Sequence, residues 1–423
     1  FSWPWKPEKV GAIFVRAYPD SAAITLNGKP VPNQSGIFSG IFGGGTLISD
    51  LFPRTYSLAL SAQGYDAWHE NVSVLPSFVT ELKYAVLVPQ AANPVAGVAP
   101  SGTAPTAQNF WLAGGEPIME TPTGAIVWQG KTIGYGTVVA ESADITEAVV
   151  KNAADTYSLY YFNNGSSTAL SAIFAANGVS SASVTNIVVN PGDANEIVVG
   201  TNTRISLFDT AAGTFTAIDR APAGTTLGVP LAASAGALAW TRGTTGGAGT
   251  STVVVYDRFA QTIATSTSGL PGRTIQLAWV KPGLLGVLQS NGALYLYDTG
   301  SGQFQKLADT VTYFAATSDG SLIAALERAS LEIFSFTSTQ TYHRFNLPDA
   351  ADATQVAWYG DADHLFVDYP NHVAFLDLDD LTLANFTTVA NLAAATTPLY
   401  DAATNILYFL NPAHALVRMN FPS

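Results

Sequence analysis

The chain has 423 residues, 18 basic against 31 acidic side chains, a net charge of −13, no cysteine, and only 12% charged residues beside 48% apolar ones. The absence of cysteine excludes disulfides, thiolate zinc sites and thiol nucleophiles. An acidic chain without a Lys/Arg cluster is a poor partner for nucleic acid or anionic membranes. Charged residues are about half the usual share of roughly 25%, so Ser, Thr, Asn, Gln, Gly and Ala must build much of the surface. Such a surface suits dense packing against copies of itself, or a glycan coat; many secreted proteins share the same composition.

The opening Phe1-Ser2-Trp3-Pro4-Trp5-Lys6 places two tryptophans beside a lysine, the mixture found where a chain leaves a bilayer. Residues 1–9 therefore read as a juxtamembrane-like segment below a removed upstream anchor, or as tryptophans packed on the first domain. No signal peptide opens the chain and no apolar run approaches the roughly 18 residues of a membrane helix. The expectation is a mature or truncated form.

Residues 10–88 alternate apolar and polar positions with period two in short runs, at Ala12 to Ala17, Ala23 to Leu26, Tyr56 to Ala62, Glu70 to Val74 and Thr80 to Leu87. That period predicts strands and a small β-sandwich. Asn27-Gly28 marks a tight turn that needs residues tolerant of positive φ. Between this turn and Leu47 lies a glycine-rich loop carrying Phe38, Ile41 and Phe42. Leaving each exposed costs on the order of 1.5 to 3 kcal/mol, so they are expected to pack on the sandwich, on the following domain or on a neighbouring subunit.

The order of strand, Pro19-Asp20-Ser21-Ala22, strand, Asn27-Gly28, Leu51-Phe52-Pro53, strand and Gly64-Tyr65-Asp66-Ala67-Trp68 resembles the PEGA domain. The resemblance covers about a fifth of the chain. It departs from the family's Pro-Glu-Gly-Ala tetrad at two positions and has Arg54-Thr55 where a Pro-Gly turn is usual. It implies a surface-associated module without catalytic residues.

Residues 89–108 turn to Pro, Ala, Gly, Ser and Thr without periodicity and read as a semi-extended linker. From 109 to 423 one pattern recurs: two apolar strands, the second ending in an aromatic residue or Asp, then a Gly/Ser/Thr turn and a weaker strand. Phe162, Phe208, Tyr256, Tyr297, Phe334, Phe375 and Val417 are equivalent points. Their spacing near 40 residues is the period of a β-propeller, whose blades bury their faces only by stacking. Seven points predict seven blades. Ala125 to Gln129 and Thr137 to Ala140 either close the last blade or belong to an eighth. In outline the repeats resemble WD40-like propellers, without the Gly-His and Trp-Asp signatures.

No Gly-x-Ser-x-Gly, His-Glu-x-x-His, phosphate loop or dinucleotide fingerprint occurs. The expectation is therefore a non-enzyme with no catalytic, cofactor or metal residues. His364 and His372 lie near Asp361, Asp363 and Asp368, but without the spacing of a calcium loop; Asp377, Asp379 and Asp380 read as a solvated turn. Ser318-Asp319-Gly320 matches a fragment of the sialidase Asp-box and reads as a plain turn. Four sequons, at Asn33, Asn71, Asn164 and Asn385, are candidate glycosylation sites.

The fold class is all-β, and composition together with the resemblance points outside the cytoplasm; the charge-poor surface, the Gly/Phe loop and the anchor-like start point to a structural subunit of a surface layer, filament or envelope scaffold. Its partners would be copies of itself or other surface proteins, with Phe38, Ile41, Phe42, Trp3 and Trp5 as contact candidates. The alternatives are a propeller that binds a glycan or peptide, and a glycosidase-type propeller enzyme.

Overall fold

The computed structural model describes residues 9–32, 45–95, 106–142, 146–244, 250–266, 269–336, 342–348, 352–379, 383 and 385–422. Among them the regular structure is nearly all strand, with one short α-helix, Leu170–Ala176, one 3-10 turn, Ser181–Ser183, and no helix long and apolar enough to cross a membrane. Its contacts divide into two compact units. One comprises Phe1–Pro94, Ala357–Pro412 and Val417–Ser423; the other comprises Val95–Val356 and Ala413–Leu416.

The N-terminal region forms two small sheets around one core. Strands β1 (Gly11–Tyr18), β4 (Thr46–Leu51) and β7 (Val79–Val86) pair in the order β4-β1-β7. Strands β2 (Ala23–Leu26), β3 (Lys29–Val31), β5 (Thr55–Ser61) and β6 (Trp68–Ser73) pair in the order β3-β2-β5-β6. The period-two pattern has its expected effect: in β5, Tyr56, Leu58 and Leu60 are buried while Thr55, Ser57 and Ser61 face water. They meet Ile13 and Val15 of β1 and Leu82 of β7 in a shared apolar core. Asn27 (φ 49) and Gly28 (φ 75) make the predicted turn. The Asn27 side chain accepts the Ser57 N–H at 2.9 Å, tying the turn to β5.

Eight four-stranded sheets follow, spanning 109–135, 137–169, 184–220, 225–265, 274–308, 313–346, 355–391 and 399–420; the fourth has an extra short strand, Leu270–Pro271, and the last is completed by β8, Asn93–Pro94. The seven equivalent points of the sequence fall in or at the end of third strands. The 109–135 sheet is an eighth. Its third strand is Ala125–Trp128, whereas Thr137–Glu141 opens the next sheet. The strand that completes the last sheet comes instead from the stretch read as linker, where Asn93 pairs with Arg418 and Pro94 with Val417. Inner strands are near-continuously buried, as in Ile197–Val199 and Leu365–Val367, because both faces of each sheet are covered.

The recurring Asp at the end of third strands is a turn device. Asp209, Asp257 and Asp298 each accept the backbone N–H two residues on at 2.9 Å, closing the hairpin to the outer strand. The connector between the first two sheets has a different requirement. Gly136 has φ 136, and a Cβ there would lie 2.2 Å from the Lys151 carbonyl oxygen. Gly136→Ala is therefore expected to cost about 1–3 kcal/mol of backbone strain and displacement, read as a lower denaturant midpoint; an unchanged midpoint would show that the connector yields freely.

Candidate functional site

The site grows from a hairpin. Strand His364–Asp368 runs antiparallel to His372–Asp377 in a register that sets His364 opposite Asp377. The turns at this end carry Asp361 and Asp363 on one side and Asp377 and Asp379 on the other, so two acidic stretches read separately in sequence form one cluster. Asp361 Oδ1 caps its turn by accepting the N–H groups of Asp363 (2.9 Å) and His364 (3.1 Å). Asp377 Oδ1 accepts the Asp379 N–H at 2.9 Å. The remaining carboxylate oxygens face the imidazole, with Asp361 Oδ2 2.7 Å from His364 Nδ1 and Asp377 Oδ2 3.8 Å from Nε2. The Asp377 oxygen also accepts Trp68 Nε1 at 3.4 Å.

His364 is 1% exposed and stacks on Phe375 with ring centroids 5.0 Å apart. Burial opposes its charged form, but the hydrogen bond to Asp361 and the nearby negative charges of Asp361 and Asp377 outweigh it and push the imidazole up to about 9. Asp363 is pushed up to about 6, first by burial and then by the Asp361 and Asp379 charges. Burial likewise raises Asp379, with help from Asp377. Among the described residues no group of three His, Asp or Glu side chains is arranged to hold a metal; here the imidazole stands between two of the carboxylates. Antiparallel pairing carries Asp368 and His372 to the opposite end, where burial pushes Asp368 up to about 8 and His372 stacks on Tyr369.

Asp361 also lines a cleft of about 230 Å³ with Tyr18 of β1, Tyr84 and Val86 of β7, Tyr359, Gly360, Ala402, Asn405 and Pro422. All of these belong to the first compact unit. The Tyr18 and Tyr84 rings are nearly parallel, 9° apart with centroids 6.4 Å from each other, and Tyr359 stacks on Tyr400 at 5.4 Å. Tyr359 donates to the Pro422 carbonyl at 2.5 Å. Tyr400 donates to Asn405 Oδ1 at 2.6 Å and accepts the Gly360 N–H at 3.3 Å. Burial raises the phenols of Tyr18, Tyr359 and Tyr400 above the usual range, so they stay neutral. The cleft is thus walled by tyrosines with one carboxylate, Asp361, on its lining, through which it adjoins the His364 cluster; the Arg16 guanidinium stands 5.2 Å over the Tyr18 ring.

A second, wider cleft of about 680 Å³ lies in the other unit, lined by Glu120, Tyr135, Thr137 and Lys151 among others. Burial raises the Glu120 carboxyl, opposed by a hydrogen bond from Thr137 at 3.3 Å. It has no aromatic enclosure comparable to the first.

Of the sequence candidates, Trp3, Trp5, Asn33, Phe38, Ile41 and Phe42 lie outside the described residues. Asn71 is exposed on β6 and Asn164 is exposed in a turn. Asn385 is corrected: only 9% exposed, it accepts the His69 N–H at 3.0 Å and belongs to the packing rather than to a glycan-accessible surface. Asp319 accepts bonds from Thr317, Ser321 N–H and Ser321 Oγ, which hold its carboxyl near 2, a turn role as expected. The cleft tyrosines were not singled out in the sequence, where they are indistinguishable from core aromatics.

No family model matches this chain, and no curated protein does. Among solved structures, an oligogalacturonate lyase in complex with manganese superposes with a TM-score of 0.51 at 11% identity, covering 77% of this chain and 99% of that one. A chain of a mitotic checkpoint complex gives 0.48 at 15% identity, covering 78% and 98%. With the run of four-stranded sheets, the first likeness defines the class: the chain carries a β-propeller fold. At 11% identity the likeness extends to the fold alone.

Proposed function

We propose that the chain is a non-enzymatic, extracytoplasmic recognition protein, an eight-bladed propeller joined to a PEGA-like β-domain, whose tyrosine cleft takes an amine-bearing ligand. The eight sheets support the blade number, and the turn pattern around Asn27-Gly28 and Gly64-Tyr65 supports the PEGA-like reading. The observation that carries the functional reading is the convergence of Tyr18, Tyr84, Tyr359 and Asp361 on one cleft, with Asp361 also a member of the acidic cluster around His364. Aromatic faces combined with negative charge favour an ammonium or guanidinium group over a neutral or anionic one. Two sources share that chemistry, a Lys/Arg side chain of a peptide and an amino sugar of a glycan.

Fluorescence polarisation with lysine-bearing peptides, glucosamine oligomers and the N-acetylated form of each separates the sources and tests the charge requirement. One amine series should bind and its acetylated partner should not. Tyr84→Ala should weaken binding about tenfold. Equal binding of acetylated ligands, or no binding in any arm, would remove this reading.

A surface-layer or filament subunit is the second reading, favoured by the charge-poor surface and by Phe259, 86% exposed on a hairpin. Light scattering at increasing concentration would show assembly that Phe259→Ser lowers.

A further inference from the structure

One end of the N-terminal β-domain is built from apolar turns. Phe52 between β4 and β5, and Leu75, Phe78 and Val79 between and at the start of β6 and β7, are 54%, 58%, 65% and 51% exposed. The turns form one platform. The Arg54 carbonyl accepts the Val74 N–H at 3.0 Å, Val10 accepts from Ser77 at 2.9 Å, and Phe78 accepts from Ala12 at 3.0 Å. A shallow groove between them is lined by Lys9, Phe52, Pro53, Arg54 and Pro76. Turn residues are normally polar because their backbone and side chains face water. Three large apolar tips grouped with two cations, on a chain of net charge −13, are a local composition opposite to the whole.

Apolar tips ringed by Lys and Arg match the layered chemistry of a phospholipid surface, with phosphates outside and acyl chains a few ångströms beneath. A second copy of the same platform fits worse, since Lys9 and Arg54 would face their own counterparts. The chain's overall negative charge repels an anionic surface only weakly beyond the screening length of about 8 Å in physiological salt.

We infer that this end of the β-domain docks on a phospholipid bilayer, with Phe52, Leu75 and Phe78 entering the headgroup–acyl boundary and Lys9 and Arg54 meeting lipid phosphates. This direct contact is separate from the cleft.

The test is co-sedimentation of the full chain with phosphatidylcholine/phosphatidylglycerol vesicles. The wild type is expected to sediment with vesicles. The combined Phe52→Ser, Leu75→Ser and Phe78→Ser variant should lower the lipid-bound to free ratio at least about tenfold, because three apolar side chains no longer leave water. Lys9→Glu with Arg54→Glu should lower it severalfold. All these side chains are solvent-facing, and circular dichroism melts unchanged from wild type would confirm that the variants fold. Failure of the wild type to bind, or equal binding of the triple serine variant, overturns the inference. So does a concentration-dependent dimer, seen without vesicles, that the triple variant abolishes.

Discussion

Trp240→Ala is expected to lower stability by about 3–5 kcal/mol, the range for emptying a large buried aromatic site. Trp240 is fully buried, and its core partners Val198, Ile205, Leu227, Leu238 and Tyr256 come from two successive sheets, 184–220 and 225–265. Its ring N–H donates to Asp219 Oδ2 at 2.8 Å, and Arg242 grips the same carboxylate through Nε at 3.2 Å and Nη2 at 2.6 Å. The substitution thus removes both an apolar contact shared between sheets and a donor to a carboxylate that is only 7% exposed. Asp219→Ala should also destabilise, by orphaning the indole N–H and a partly buried guanidinium. Urea denaturation followed by circular dichroism measures both; a Trp240→Ala loss under about 1 kcal/mol would contradict the packing described.

The second large effect is expected at His364. Its folded pKa is raised from the ordinary 6.5 to about 9, so protonation favours the folded state. The contribution is fully present below about pH 6.5 and is lost as pH rises through about 9. Asp363 is also raised, from 3.8 to about 6; for an acid this means the folded state holds the proton longer, and stability falls between about pH 4 and 6. Asp368, raised to about 8, acts with the same sign across about pH 4 to 8. His364→Gln should therefore flatten the pH profile only in the upper part of this range, and the two proteins should converge toward pH 9. His364→Ala should cost about 3–5 kcal/mol at pH 6, because Asp361 and Asp377 lose the buried cation between them. Melting temperatures from pH 4 to 10 check this; parallel profiles for wild type and His364→Gln would contradict it.

The propeller was legible because its repeat leaves a chemical mark. Third strands must end where a hairpin starts, and an Asp that caps the turn, as at Asp209, Asp257 and Asp298, is an economical way to end them. The 109–135 sheet escaped the spacing because its hairpin uses Gln129 (φ 46) and Gly130 (φ 73) instead of a capping Asp. The strand Asn93–Pro94 escaped because two residues in a Pro/Ala stretch have no period; only the edge of the last sheet makes them a strand. In the N-terminal domain the long alternating strands were readable, whereas β3, three residues with a proline, was not.

The site was half legible. Asp361, Asp363, Asp377 and Asp379 were visible as two acidic stretches, but only the register that sets His364 against Asp377 joins them. The cleft was out of reach of sequence reasoning, since Tyr18 and Tyr84 stand more than 270 residues from Tyr359. Their meeting depends on packing of Val86 and Val88 against Tyr359, Phe366 and Phe421, which no local pattern encodes.

Titration calorimetry of the amine ligand selected by the binding screen, at pH 7.5 and at pH 5, tests the central claim most directly. Asp361 on the cleft wall interacts with Asp363, and the negative charge of their cluster falls when Asp363 takes up its proton near pH 6. The account predicts a severalfold loss of affinity at pH 5 that Asp363→Asn abolishes by weakening binding at pH 7.5 to the same level. Affinity that is unchanged or higher at pH 5 would contradict a carboxylate-backed amine site.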